Sequence, residues 1–273
     1  MPLPSAVLIG NMINTSTHPK KLSLIFVNYR SIFHLSRALR SLGEDSFLRG
    51  DGEIIVVNQD ASEQKAIQTL SLQQGFRLIE RENGGFASGA NAGAAVATGA
   101  YLAFLNPDTY YSSGSFEEIL QIFEVDDYVG LVGATLCDAD GHPEKWSKGR
   151  FLTLSRLVMN NIIPEAFFPK RGIDWVSGGA LFIRKNLFHS LCGFSEDFFL
   201  YFEDMDFCAR VRQAGYSVQS SQSLQFAHAG GKSCASKSIQ KKHFFDSQRR
   251  YFRKHRPFWE QSVHFFLQGI KIW

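Results

Sequence analysis

An acidic residue stands directly after one of the apolar strands that the sequence predicts. Asp108 follows residues 101–105 in the sequence Asn106-Pro107-Asp108. A divalent cation prefers oxygen ligands and is held by one or two carboxylates when phosphate groups supply the others. Such a cation neutralises a leaving diphosphate and lowers the barrier to breaking the bond. Asp108 is therefore a candidate metal ligand, with a purely local turn as the alternative, because Asn, Pro and Asp all favour turns.

A second group of acids, Glu203, Asp204 and Asp206, follows the aromatic run at 198–202. Acids are common at a helix start because the helix dipole favours them there. Asp206 and Arg210 are four residues apart, and we expect them to form an ion pair on the helix surface. Asp204 lies beside the aromatic run, where burial and acidic neighbours raise the pKa of a carboxyl and make it a better proton acceptor. Asp204 is the candidate general base, with a helix cap as the alternative.

Two further segments contain residues that contribute to a site only in combination with the acids. His228 follows a predicted strand and precedes Gly230-Gly231; a lone histidine is more often structural than a metal ligand. The glycine-rich segment 83–93 leads into a helix of small residues predicted at 89–99. Its glycines permit either close approach of a nucleotide or tight packing of helix on sheet, and both interpretations stay open.

The first half of the chain predicts the elements that would position these residues. Continuous apolar runs at 22–27, 53–57, 76–79 and 101–105 are typical of a buried, mostly parallel sheet. Residues 32–42 predict a helix with Leu35, Leu39 and Leu42 on one face. Asn28, Asn58 and Asn106 come just after their strands, where ligands bind in open α/β sheets. The fold class is α/β, with a mostly parallel central sheet flanked by helices.

The second half is less regular. It predicts strands at 130–136, 180–183 and 216–220, a helix at 204–213, and a boundary near residue 125. Two amphipathic helices close the chain, one with Phe245, Tyr251 and Phe252, and one after Pro257 with Trp259, Val263, Phe266 and Ile270. The resulting division is a flexible leader at 1–20, a first half at 21–125, a second half at 126–236 and basic, aromatic helices at 237–273.

Composition limits the class of protein. A chain of 273 residues with 44% hydrophobic and 20% charged residues buries a full core. Its apolar runs are far shorter than the roughly 20 residues that span a bilayer, and its first 20 residues lack the features of a secretory signal. The four cysteines form no C-x-x-C pair, which disfavours a zinc knuckle or disulfide framework and fits a reducing cytoplasm. Lys and Arg concentrate at 237–256, so the basicity is local.

Taken in order, these segments resemble the family 2 glycosyltransferases, and most closely the bacterial rhamnosyltransferase-like branch that makes surface polysaccharides. The first strand ends in Val27-Asn28-Tyr29, similar to the V-N-Y-like sequence that touches the nucleotide in that family. Asn106-Pro107-Asp108 resembles its Asp-x-Asp metal motif. The Glu-Asp pair after the aromatic run corresponds to the catalytic base, which implies that role for Asp204, and His228 corresponds to the histidine that completes the metal site.

The resemblance implies a GT-A fold and an inverting hexosyltransferase that uses Mg²⁺ or Mn²⁺ and a nucleotide-diphosphate sugar, with rhamnose as one candidate sugar. It also implies that the half at 21–125 binds the nucleotide sugar and that the half at 126–236 binds the acceptor and carries the catalytic base. The acceptor would be a glycan or a lipid-linked hydroxyl, and the basic tail would contact the inner face of the cytoplasmic membrane or pack on the main domain. The implied nucleotide contacts are Asn28, Tyr29, Asn58, Asp60, Gly85, Phe86, Asn91 and Asn106. The implied acceptor contacts are Trp175, Gly178, Gly179 and Glu203.

The second strand departs from the family pattern, which ends there in an Asp-Asn pair. This chain has Val57-Asn58-Gln59-Asp60, so either Asn58 or Asp60 replaces the acid. Two other classes of protein remain as alternatives. A dinucleotide-dependent oxidoreductase requires a glycine-rich turn after the first strand, where residues 28–31 offer none. A nucleic-acid-binding protein requires a basic face beyond the tail, and the negative balance elsewhere disfavours it.

Overall fold

The computed structural model describes residues 7–8, 20–43, 45–157, 172–230 and 237–269. The strands are β1 (Val7–Leu8), β2 (Leu22–Asn28), β3 (Gly52–Asn58), β4 (Arg77–Glu80), β5 (Tyr101–Leu105), β6 (Thr109–Gly114), β7 (Val129–Cys137), β8 (Lys148–Gly149), β9 (Trp175–Val176), β10 (Ala180–Arg184) and β11 (Ser217–His228). The helices are α1 (Ile32–Leu42), α2 (Ser46–Asp51), α3 (Gln64–Gln74), α4 (Gly85–Val96), α5 (Phe116–Val125), α6 (Lys185–Ser190), α7 (Glu203–Gln213), α8 (Lys237–His255) and α9 (Phe258–Gly269).

One sheet organises the molecule, with the strand order β1-β4-β3-β2-β5-β10-β7-β11-β6. Strands β4, β3, β2 and β5 are parallel, as the apolar runs predict. Strand β10 is antiparallel to both β5 and β7, while β11 is parallel to β7 and antiparallel to β6. Since β6 precedes residue 125 and β11 follows it, the sheet continues across the predicted boundary.

Alternation along each strand supplies two hydrophobic cores, one on each face of the sheet. In β2, all of whose residues are buried, Leu24 and Phe26 join one core and Ile25 and Val27 join the other. Helix α1 has the predicted bounds and buries its leucine face in the first core. Helix α4 packs on the second.

Small residues allow α4 to lie close against the sheet. A Cβ placed on Gly89 would lie 2.6 Å from Cγ1 of Val27, so only glycine fits at that separation. The predicted end of this helix at Gly99 is wrong, because α4 stops at Val96 and the chain is already extended at Ala97. Gly99 instead donates its N–H to the hydroxyl of Ser23 on β2, 2.9 Å away.

The C-terminal helices form a third, smaller core with the segment before α7. Tyr251 and Phe252 of α8 are buried there with Phe198, Phe202 and Met205. The predicted contact Ile270 and the second glycine of the pair after His228 lie outside the described residues. In the predicted leader, Val7–Leu8 pairs with β4, and the other residues before Lys20 also lie outside them. Within the described ranges, no helix is long and apolar enough to cross a membrane.

Candidate active site

Polar residues collect at one edge of the sheet, as the strand ends predict. Asn28 and Asn58 are register partners at the carboxyl ends of β2 and β3. Asn106 and Asp108 follow β5, the other neighbour of β2. His228 ends β11 at the same edge, because Ala227 beside it pairs with Cys137, the last residue of β7. The predicted site residues of four separate segments therefore lie along one edge.

Asp108 and His228 are held next to each other by backbone pairing. His228 is the register partner of Thr109, and the N–H of Ala229 donates to the carbonyl of Asp108 at 2.9 Å. Nε2 of His228 consequently lies 3.5 Å from Oδ1 of Asp108. Asp108 is buried, with 3% of its surface exposed. Two residues 120 positions apart in the chain thus form one preorganised pair.

The two groups stabilise each other's charged forms. Burial alone would raise the pKa of Asp108, but the hydrogen bond and charge of His228 outweigh it and the pKa lies below its usual value. Burial alone would lower the pKa of His228, but Asp108, and then Glu144, raise it to about 9. A cation binds only an unprotonated imidazole nitrogen, so cation and proton compete for this pair.

The pair has the chemistry and spacing of two ligands of one divalent cation. A carboxylate oxygen and an imidazole nitrogen are ordinary ligands of Mn²⁺, and Mg²⁺ takes carboxylates readily. Two ligands at about 2.1 Å from one ion are themselves separated by about 3.0–3.4 Å, close to the 3.5 Å found here. Another group of possible ligands, Asp138, Asp140 and His142, converges on the surface, where exposed acids are common without an ion.

Glu144 belongs to the same cluster, and sequence reasoning missed it. Nδ1 of His228 lies 3.0 Å from each carboxylate oxygen of Glu144. Glu144 lies in the connection after β7, 84 positions before the histidine. It matches no motif and follows no apolar strand directly, so the sequence carries no local signal for this contact.

Asp204 is hydrogen-bonded to the Gly178-Gly179 segment that precedes β10. Its Oδ2 accepts the N–H of Gly178 at 2.9 Å, and its Oδ1 accepts the N–H of Met205 at 2.7 Å. The adjacent Gly179 accepts, through its carbonyl, the N–H of Asn106 at 3.1 Å and the hydroxyl of Thr109 at 3.2 Å. The Gly178-Gly179 segment therefore connects the candidate base to the loop that carries Asp108.

The surroundings of Asp204 favour proton acceptance. Burial raises the pKa of its carboxyl, and the backbone hydrogen bonds from Gly178 and Met205 offset only part of that rise. The pKa of Glu203 is raised well above its usual value by burial, and further by the charges of Asp204 and Asp206. Glu203 is only 6% exposed, and its Oε2 has no hydrogen-bond partner among the described residues. Glu203 is therefore a buried acid next to Asp204, and its contact with the acceptor stays a prediction.

The sequence placed the Asp206–Arg210 pair on the helix surface, and that location is wrong. The ion pair exists, with Nε of Arg210 2.9 Å from the carboxylate, but Asp206 is fully buried. Helix α8 covers it and brings Lys254 to 2.9 Å and His255 to 2.7 Å. The error arose because the covering residues are almost fifty positions away and belong to a helix whose packing the sequence left open.

The backbone before α7 is constrained. Tyr201 and Phe202 both have left-handed φ angles, 69° and 66°, which are uncommon for bulky residues. Phe202 packs on Phe244 and Tyr251 of α8, and Ser247 of α8 donates its hydroxyl to the carbonyl of Leu200. Helix α8 therefore holds the segment that carries Asp204 in a conformation it would not adopt alone.

Asn58 and Asp60, the two candidate nucleotide contacts after β3, differ in the hydrogen bonds that their side chains make. The amide of Asn58 makes three hydrogen bonds within the protein: its oxygen accepts from Asn28 Nδ2 and from the N–H of Asp60, and its nitrogen donates to the carbonyl of Asp60. The carboxylate of Asp60 accepts the N–H and hydroxyl of Ser62 and lies 3.9 Å from Arg30. Tyr29 lies next to these groups, with Arg30 over its ring.

The glycine-rich segment mainly makes protein contacts. Gly85 has a φ of +86°, and a Cβ on it would lie 2.1 Å from the carbonyl oxygen of Phe199. That same oxygen accepts the N–H of Phe86. Asn91 exchanges two hydrogen bonds with the backbone of Phe194, at 2.9 Å each. These contacts support the packing interpretation of the segment, and nucleotide contact there stays a prediction.

Of the predicted acceptor residues, Gly178 lies directly beside Asp204. Trp175 is partly exposed on β9 and donates its ring N–H to the carbonyl of Arg150 at 3.1 Å. Gly178 lies between Asp204 and the ring of Phe86. The sheet edge thus has a candidate metal-binding pair and a candidate carboxylate base, which one glycine segment connects.

Comparison with known proteins identifies the family. The sequence model described as glycosyl transferase family 2 matches residues 23–202, about two thirds of the chain. The chain belongs to glycosyl transferase family 2. The match ends just before Glu203, so α7, β11 and the terminal helices lie beyond it.

Curated relatives of this family 2 chain are named as hexosyl- and rhamnosyltransferases. It is 24% identical over 212 residues to the low-salt glycan biosynthesis hexosyltransferase Agl10 of Haloferax volcanii, covering 76% of this chain and 66% of that protein. It is 26% identical over 153 residues to the rhamnosyltransferase WbbL of Escherichia coli, covering 51% of this chain and 57% of that protein. It is 28% identical over 151 residues to the N-acetylglucosaminyl-diphospho-decaprenol L-rhamnosyltransferase of Mycobacterium tuberculosis, covering 48% of each. The chain thus matches about half to two thirds of these relatives' lengths.

Solved structures confirm the GT-A fold. GalNAc-T7, solved with UDP, GalNAc and Mn²⁺, superposes with a TM-score of 0.63 at 14% identity over 86% of this chain and 48% of that one. The mannosyltransferase PcManGT of Pyrobaculum calidifontis, solved with GDP-Man and Mn²⁺, superposes with a TM-score of 0.60 at 16% identity over 87% and 64%. The predicted α/β architecture with C-terminal helices is confirmed.

Proposed function

We propose that this chain is a metal-dependent inverting glycosyltransferase that moves a hexose from a nucleotide-diphosphate donor to a hydroxyl of a glycan or lipid-linked acceptor. The observation that carries the proposal is the Gly178-Gly179 segment, which joins the carboxylate of Asp204 to the loop of Asp108. A base and a cation site held on one rigid connection are the two elements that transfer to a hydroxyl requires.

Asp108 and His228 would hold the cation, Mg²⁺ or Mn²⁺. When bound, it would neutralise the diphosphate that leaves the sugar. Asp108 is already ionised before a cation binds, because its pKa lies below the usual value. The buried position of Asp108 and the strand pairing with His228 fix both groups before the donor arrives, so little ordering entropy is lost on binding.

Asp204 would take the proton from the acceptor hydroxyl. The N–H groups of Gly178 and Met205 orient its carboxylate, and each oxygen retains a further lone pair for the hydroxyl. Its raised pKa strengthens it as a base. Attack from the face of the sugar opposite the diphosphate would invert the anomeric carbon.

Tyr29 and Asp60 would contact the nucleotide at the ends of β2 and β3. The buried amide of Asn28 bonds to Asn58, Glu63 and Ser31, so we propose that it supports this end of the sheet instead of touching the nucleotide. Of the two candidates on the second strand, we favour Asp60 because the amide of Asn58 is committed to the protein. Asp60 keeps a carboxylate at the edge next to Arg30. Asn106, whose N–H is fixed by Gly179, would lie beside the diphosphate.

The acceptor class follows from the relatives and from the last helix. The mycobacterial relative acts, by its name, on a lipid diphosphate. Helix α9 of this chain turns polar side chains inward, with Glu260 5% and His264 1% exposed. Its outward face carries large apolar side chains that are 40–81% exposed: Phe258, Trp259, Val263, Phe265 and Phe266.

An outward apolar face bordered by cations suits an anionic membrane surface. Arg249 of α8 lies over the ring of Phe265, and Arg253 beside it is exposed. Aromatic side chains enter the headgroup region while Arg and Lys attract anionic lipids. We therefore propose that α9 rests on the inner face of the cytoplasmic membrane, where a lipid-linked acceptor would lie. No observation favours an oxidoreductase or a nucleic-acid partner.

The proposed function is tested with a panel of nucleotide sugars and nucleoside diphosphates, with and without Mn²⁺. Ligand binding to the native state raises the melting temperature by mass action. We expect one nucleotide series to raise it only when the cation is present, and NMR of the product to show an inverted anomeric centre. Stabilisation by a nicotinamide dinucleotide or by DNA alone, or a retained configuration, would contradict the proposal.

A further inference from the structure

Glu144 holds the ring of His228 from the side opposite Asp108. Both of its carboxylate oxygens lie 3.0 Å from Nδ1, whereas Nε2 lies 3.5 Å from Asp108. The two ring nitrogens are on different edges of the imidazole, so Glu144 and Asp108 do not converge on one point. Glu144 is consequently not a third ligand of the same cation.

The backbone of Glu144 fixes where its carboxylate points. Its N–H donates to the carbonyl of Leu136 on β7 at 2.8 Å, and its own carbonyl accepts the hydroxyl of Ser147 at 2.8 Å. Pro143 before it forms a bridge with Cys137. The connection after β7 therefore folds back onto the end of β7, next to β11. This position brings the carboxylate of Glu144 to the ring of His228.

We infer that Glu144 is a positioning residue that holds the ring of His228 at Nδ1 with Nε2 directed at Asp108 and the cation, and so sets the affinity of the metal site. This inference rests on the proposed metal role of Asp108 and His228. A neutral imidazole carries its proton on one nitrogen and a lone pair on the other, and a carboxylate beside Nδ1 selects the form whose lone pair is on Nε2. The partial burial of both side chains, 18% and 23% exposed, strengthens that selection.

Two substitutions at Glu144 and one control test whether Glu144 acts by orienting the ring of His228 or only by its negative charge. Glu144→Gln keeps the size, but its amide can donate to Nδ1 as readily as accept from it, so it no longer selects one form. Glu144→Ala removes the contact entirely. Asp140→Asn is the matched control, because it removes one negative charge from the same connection. Asp140 is exposed, and among the described residues it forms no hydrogen bond or ion pair with His228.

The experiment adds Mn²⁺ to the protein in the presence of the nucleoside diphosphate that stabilises the wild-type protein most. The EPR signal of the free ion gives the amount of Mn²⁺ bound. We expect Kd for Mn²⁺ to rise about tenfold for Glu144→Gln and up to about a hundredfold for Glu144→Ala, with Asp140→Asn unchanged. The melting temperature without metal and nucleotide checks that each variant is folded.

Several outcomes overturn the inference. Wild-type Kd for both folded Glu144 variants would show that the carboxylate does not position the ring, even with the metal site intact. Equal weakening by Asp140→Asn would show that only local charge matters. A wild-type protein that takes up no Mn²⁺ would overturn the metal site itself, which is the failure of the proposed function rather than of Glu144.

Discussion

The N–H of Gly178 donates to Oδ2 of Asp204 at 2.9 Å and so ties the start of α7 to the segment before β10. The carbonyl of Gly179 in turn accepts the N–H of Asn106, so the same two-glycine segment contacts both Asp204 and the loop that carries Asp108. Two candidate catalytic groups from different parts of the chain thereby share one backbone support.

The metal role of Asp108 gives the first prediction. Asp108→Asn removes the charge but keeps the shape, so nucleoside diphosphate with Mn²⁺ should no longer raise the melting temperature. Differential scanning fluorimetry with and without EDTA measures the effect. An unchanged metal-dependent shift in the variant would remove Asp108 from the cation site.

The buried charge cluster on α7 gives the second. Asp206→Asn leaves Arg210, Lys254 and His255 without their shared carboxylate, and we expect the free energy of unfolding to fall by about 3–5 kcal/mol. Asp127→Asn is the control, since Asp127 is fully exposed in its ion pair with Arg184 and should change nothing measurable. Urea denaturation compares them, and equal stability of the two variants would contradict the buried cluster.

The apolar face of α9 gives the third. The double variant Trp259→Ser and Phe266→Ser should bind phosphatidylglycerol vesicles at least about tenfold more weakly, because both side chains are exposed and enter the headgroup region. Phe33→Ser removes an equally exposed phenylalanine from α1 and should bind normally. Co-sedimentation at rising salt is the measurement. Wild-type binding by the α9 variant, or no binding by the native protein at low salt, would exclude this face as a membrane contact.

The buried histidine on α9 gives the fourth. Burial, aided by the charge of Arg249, lowers the pKa of His264 to about 4. The unfolded chain then binds more protons than the folded one between about pH 6.5 and pH 4, so stability falls as the pH decreases through that window. The loss from pH 7 to pH 5 should be on the order of 2 kcal/mol.

His264→Gln tests this dependence, since glutamine does not titrate. Urea denaturation at both pH values should show a smaller loss for the variant than for the wild-type protein. An identical pH dependence of the two proteins would contradict the assignment. The ring of His264 stacks on Phe252 with centroids 4.0 Å apart and contacts Gln248. Glutamine is similar in size to histidine, and its side-chain amide can keep the contact with Gln248.

Local patterns predicted the elements that are decided locally. The continuous apolar run of β2 and the leucine spacing of α1 reflect burial in and against one sheet, and the asparagines at the strand ends lie along one edge of it, as predicted. Strand β6 was missed because Tyr110 and Tyr111 are followed by Ser, Ser and Gly, a sequence typical of a turn, and only pairing with β11 makes it a strand.

Long-range contacts decided what the sequence did not predict. Glu144 reaches His228 only because the connection after β7 folds back, and Asp206 is buried only because α8 crosses it. The left-handed Tyr201 and Phe202 depend on the same helix. None of these contacts has a signal within a few residues of the group it affects.

The most direct test of the account compares transfer rate and donor affinity for Asp204→Asn with those of the native protein. Asparagine keeps the hydrogen-bonding shape beside Gly178 and loses the basicity. We predict that transfer falls at least about a hundredfold while metal-dependent donor binding is unchanged, and that Glu203→Gln, at the buried neighbour, costs less. Near-native transfer by Asp204→Asn, or a greater loss for Glu203→Gln, would contradict Asp204 as the base.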